Sequence, residues 1–71
     1  MHKLMLGSVK EVQRDTIIDI LMNELEYSYR DALQVVTNTP ALLESGTDFK
    51  ELNDIMLKIA RTGTLTWIEA K

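Results

Sequence analysis

Apolar residues recur along most of this chain with a helical period. From residue 9 to about residue 26 they fall at Val12, Ile17, Ile18, Ile20, Leu21, Met22 and Leu25. At about 100° per residue, the last six cover roughly 200° of the helix circumference. That arc is wider than the stripe of a surface helix. The first helix is therefore expected to be central, with neighbours on two sides. Ser8 and Glu11 have the spacing of a capping box, in which each side chain satisfies an exposed backbone N–H.

Tyr27-Ser28 interrupts the pattern. Ser28 suits the N-cap of a second helix over residues 29–37, which would bury Ala32, Val35 and Val36. Asn38-Thr39-Pro40 breaks it again. Thr39 could cap a new turn with Pro40 at its first position, where a missing N–H costs nothing. This short helix would hold Leu42 and Leu43 and stop at Gly46, since glycine accepts positive φ. The clearest pattern follows. Asp48 and Glu51 repeat the capping-box spacing, and Phe49, Leu52, Ile55, Met56, Ile59 and Ala60 share one arc of roughly 140°. Lys50, Asp54, Lys58 and Arg61 take the opposite side, with Lys50–Asp54 and Asp54–Lys58 at the i,i+4 spacing of ion pairs. Gly63 ends this helix.

The tail, TLTWIEAK, alternates partly and is rich in β-formers. Residues 3–6 could pair with it, although a two-stranded ribbon alone is marginal. The favoured alternative has Leu65, Trp67 and Ile68 folding back over the helices as an anchor. The expected fold is thus a single all-α domain spanning residues 1–71, a small bundle of three to four helices. A short two-stranded ribbon of the termini is its variant.

Size sharpens this picture. A chain of 71 residues buries only about 60% of the surface that its unfolded state exposes. Such domains rely on disulfides, metals, close helix packing or self-association. Cysteine is absent and the one histidine, His2, is terminal, so packing and association remain. With 45% hydrophobic and 27% charged residues, the chain is too apolar for intrinsic disorder. The net charge of −3 attracts neither nucleic acid nor an anionic membrane over long range. No apolar run approaches the ~20 residues of a bilayer span, and MHKLMLGS is too short for a secretory signal. A cytoplasmic protein is the expectation, with size and composition suited to a bacterial or phage source.

The corner ELEYSYRDALQVV carries a motif. With Glu26 in the turn, Leu21, Leu25, Tyr27, Ala32 and Val35 occupy the five sites that helix-turn-helix motifs keep apolar. The stretch resembles helix-turn-helix proteins over about twenty residues. Met22 stands where a small residue is usual, Ala32 where a larger one is, and Glu26 where glycine is. The resemblance implies DNA reading through Ser28, Tyr29, Arg30 and Gln34, with Leu33 and Thr37 beside them. Charge opposes it. From Glu11 to Asp31 six acids stand against two bases, Arg14 and Arg30, and phosphate contacts supply much of DNA affinity.

Three other features bear on partners. Glu11, Asp15 and Asp19 are spaced i,i+4,i+8, and Glu26 joins their side if the helix reaches it. Like charges so spaced oppose helix formation. They form either a solvated face or an acidic ridge for a basic partner, including the Lys50/Lys58/Arg61 face of a second copy. The wide arc of the first helix, or the tail around Trp67, could lie at a two-fold interface. Trp67 itself suits a core anchor as well as a docking residue.

Chemistry finds little footing. No nucleophile has an interior histidine as its base, and the three glycines are isolated, with no phosphate-cradling loop among them. No calcium-loop spacing occurs. The sequence therefore points to a non-enzymatic domain without metal or cofactor. Its expected partner is another protein or a second copy, with no membrane partner and nucleic acid as the rival. Glu11, Asp15, Asp19, Glu26 and Trp67 are its candidate contact residues.

Overall fold

A computed structural model describes residues 1–70. It overturns the all-α expectation. Three strands, β1 (His2–Leu6), β2 (Ala41–Gly46) and β3 (Thr66–Ala70), form one antiparallel sheet in the order β2-β1-β3. Three helices, α1 (Arg14–Glu24), α2 (Tyr29–Thr37) and α3 (Phe49–Ala60), cover one face of it. The molecule is a two-layer α/β domain and not a helical bundle.

The termini do pair. β1 and β3 run together from His2↔Ala70 to Leu6↔Thr66. The tail is thus a strand, and the anchor folded over the helices does not form. What makes the ribbon viable is the third strand. Residues 41–46, expected as a short helix, instead pair with β1 from Ala41↔Leu6 to Gly46↔His2. Isolated, a two-stranded ribbon is marginal; a third strand and a helical layer remove that weakness. Leu4 and Leu6 are fully buried because the central strand points both into the helical layer.

The first helix is shorter than its apolar pattern. Glu11–Gln13 form a 3-10 turn with Lys10 at its N-cap, without a side-chain cap, so the Ser8/Glu11 capping box is not used. α1 begins at Arg14 and buries Ile17, Ile18 and Leu21, while Val12 is left 89% exposed. Gln13 has another task. Its amide donates to the Thr62 carbonyl at 2.7 Å and accepts from Thr64 Oγ1 at 3.1 Å, fastening the start of α1 to the turn before β3.

The other two helices follow the sequence closely. Ser28 caps α2, accepting from the Asp31 N–H at 3.1 Å, and Ala32 and Val36 are buried. Asp48 caps α3, accepting from the Glu51 N–H at 3.2 Å, and Leu52, Ile55 and Ile59 face the core. Lys50 pairs with Asp54 at 3.3 Å as expected. Lys58 does not pair with Asp54; it reaches Glu24 at 2.8 Å, tying α3 to α1. α3 lies against all three strands, α1 packs on α3 and α2, and α2 leans back toward β2. The central element is therefore β1, flanked on both sides, and not the first helix. No helix is long and apolar enough to cross a membrane among the described residues.

Candidate functional site

The helices cover one face of the sheet, and the other face carries an apolar row. Successive residues of a strand point to opposite faces, so Leu4 and Leu6 turn inward while Lys3 and Met5 turn outward. Met5 stands between Leu42 of β2 and Trp67 of β3 in the register of the sheet. These three side chains cross the uncovered face from edge to edge. Leu42 is 48% exposed, and Leu65, two positions before Trp67 on the same face, is 64% exposed. Gly7 fits this layout, since a Cβ there would meet the Leu65 side chain at 2.9 Å. A second row, Ser45–Lys3–Glu69, borders the first and is polar. The Trp67 indole N–H donates to Glu69 Oε2 at 3.0 Å, linking the two rows.

The predicted contact residues do not come together. Trp67 is on the outer sheet face. Asp15 and Asp19 are exposed on α1, in the helical layer. Glu11 belongs to the 3-10 turn ahead of α1, and Glu26 lies past its end. The expected ridge of four acids is thus a pair, Asp15–Asp19, with exposed outliers at each end.

The corner between α1 and α2 is a tight turn. Glu26 adopts φ +58°, the left-handed conformation that favours glycine. The Tyr27 N–H donates to the Leu21 carbonyl at 3.3 Å, closing the end of α1. Tyr29, Arg30 and Gln34 are exposed on α2 and Ser28 is exposed just before it, its hydroxyl occupied as the cap. A strand follows α2 directly, and Tyr27 is what joins the corner to it. Its hydroxyl donates to the Leu43 carbonyl at 2.6 Å. Burial, then the carboxylates of Glu44 and Asp31, raise the Tyr27 pKa above its usual value. An open cleft of about 640 Å³ lies here, lined by Tyr27, Asp31, Gln34, Val35, Asn38 and Ala41.

Among the described residues, no three acidic, histidine or cysteine side chains converge where they could hold a metal ion. The row of Leu42, Met5 and Trp67 was hidden because its members come from three distant segments, one of which reads as helix. Only Trp67 was visible as a candidate. No protein-family model matches this chain, and no curated protein matches it in sequence.

Proposed function

We propose that this chain is a small non-enzymatic protein-interaction domain that works in the cytoplasm. The uncovered apolar row of Leu42, Met5, Trp67 and Leu65 is the observation that carries this reading. Apolar side chains gathered on one exposed face, with polar residues at the rim, are the usual composition of a protein-docking surface. Trp67 supports it further: a tryptophan with a large apolar body and a partnered N–H is a typical interface anchor. The absence of cysteine from the sequence suits a reducing compartment and leaves no thiol chemistry.

The partner in this reading is a protein with its own apolar patch, and Lys3 and Glu69 at the rim select its orientation more than its affinity. A photo-crosslinking amino acid at Leu42 or Leu65 is expected to give adducts in cells that Met5→Asp abolishes. The same label at Val12, exposed in the 3-10 turn ahead of α1, serves as the control. Equal labelling from Val12 and Leu42 would overturn the assignment. The Glu26 turn also suits a DNA-reading corner. A gel shift with duplex DNA, lost on adding salt and weakened by Arg30→Glu, would favour that function instead.

A further inference from the structure

The two edges of the sheet are built differently. β2 is guarded: Pro40 precedes it, its register against β1 shifts so that Leu43 stands as an extra residue, and Tyr27 occupies the Leu43 carbonyl. Prolines, bulges and covering side chains are devices that keep an edge from pairing. β3 has none of these. Its five residues hold no proline or lysine and pair with β1 without a register shift.

The phase of its hydrogen bonds follows from one contact. The Gly7 N–H donates to the Leu65 carbonyl at 2.7 Å. In an antiparallel ladder, hydrogen-bonded and non-hydrogen-bonded pairs alternate. Gly7–Leu65 is therefore followed by bonded pairs at Met5–Trp67 and Lys3–Glu69. The backbone groups of Thr66, Ile68 and Ala70 point the other way, to the free edge.

We propose that β3 pairs antiparallel with β3 of a second copy, with Ile68 opposite the partner's Ile68 on a two-fold axis. The sequence selects this register. Centring on Glu69 sets two carboxylates face to face, which is destabilising. Centring on Trp67 leaves Ala70 opposite the partner's Thr64, a buried residue outside the strand. Centring on Ile68 joins Thr66 to the partner's Ala70, Ile68 to the partner's Ile68, and Ala70 to the partner's Thr66. All the outward backbone groups of both strands then find partners.

Side chains agree with the backbone. In this register Glu69 faces the partner's Trp67, and it already stands between its own Lys3 and an indole N–H. Each carboxylate thus lies between its own Lys3 on one side and the partner's indole ring on the other, and keeps the N–H of its own Trp67 as donor along the strand. On the inner face the two Ile68 side chains meet at the axis, next to the core cluster against which each already packs. The contact is isologous and closes as a dimer. It extends the sheet in its own plane, so the outer rows of the two copies become one continuous face. The inference rests on the interaction reading, naming a second copy as one partner, but it leaves the apolar row free for another.

Because the chain has no cysteine, single-cysteine variants test the register. Directly opposite residues of a bonded pair have Cα atoms about 5.5 Å apart, within disulfide range. Ile68→Cys is expected to oxidise to a covalent dimer at least tenfold faster than Trp67→Cys or Glu69→Cys. Sedimentation equilibrium of the unaltered chain is expected to show a dimer, with Ala70→Pro weakening it at least tenfold, since proline removes an outward N–H without touching the β1 ladder. Circular dichroism of each variant confirms that the fold is retained. A strict monomer at high micromolar concentration, crosslinking that favours another position, or a dimer indifferent to Ala70→Pro would overturn the pairing. Adducts at Leu42 in a strictly monomeric chain would sink the pairing alone and leave the interaction reading standing.

Discussion

Tyr27 shows how one side chain can hold two layers together. It leaves the corner between α1 and α2 and donates to the Leu43 carbonyl of β2. Removing the hydroxyl by Tyr27→Phe leaves that carbonyl without its donor, at a cost of about 1 kcal/mol. Urea denaturation is expected to show this as a lower midpoint with an unchanged slope. The pH dependence adds a sign. The Tyr27 pKa is raised, first by burial and then by Glu44 and Asp31, from an ordinary value of 10.0. The folded state therefore holds the phenol proton more tightly than the unfolded chain does. This contribution is complete below pH 10.0 and is lost as pH rises from there through the folded pKa. Tyr27→Phe should accordingly lose less stability than the unaltered chain between neutral pH and that window. Glu26 is the opposite case, a non-glycine residue held at φ +58°. Its strain is offset by the helix end that the turn closes.

At the scale of elements, what the sequence disclosed depended on how local each signal was. The extents and caps of α2 and α3 were legible because their signals lie within one or two turns, although Phe49 and Ala60 of the expected stripe are exposed and Val35 is only half-buried. Asp48→Ala is expected to destabilise the domain by about 1 kcal/mol, since the Glu51 N–H loses its acceptor. Thermal unfolding followed by circular dichroism checks it, and Asp48→Asn should restore most of the loss. The start of α1 was not legible. Ser8 and Glu11 have the right spacing, yet β1 ends at Leu6 and the chain spends residues 7–10 crossing to the helical layer. β2 was the largest miss. Leu42 and Leu43 between a proline and a glycine read equally as a helical turn or a short strand, because periodicity cannot separate them over so few residues. Pairing with Leu4, Met5 and Leu6 decides the matter, and those partners lie more than thirty positions away. The apolar row shared this fate, since Trp67 meets Met5 and Leu42 only once all three strands are in place.

For the whole molecule, the sheet puts its backbone protection where the order β2-β1-β3 allows. β1 is paired on both sides, so its amides face a neighbouring strand whichever way they point. β3 is paired on one side only, and the Gly7–Leu65 bond fixes which of its amides face β1. Trp67 and Glu69 direct their N–H groups to the ladder, while Thr66, Ile68 and Ala70 direct theirs to the free edge. Hydrogen exchange therefore distinguishes an isolated domain from a paired one residue by residue. In dilute solution Trp67 and Glu69 should exchange slowly and Ile68 quickly, an alternation along five consecutive residues. As concentration rises, an edge-paired dimer slows Ile68 and Ala70 selectively and leaves the β2 amides unchanged, because the bulge at Leu43 and Tyr27 keep that edge apart. Association through the apolar face instead would leave the alternation in β3 intact at every concentration, since face-to-face contact supplies no acceptors to the strand edge. Amide exchange measured by NMR across a concentration series thus reads both surfaces at once, and slow exchange at Ile68 in the dilute sample would contradict the phase assigned to the ladder.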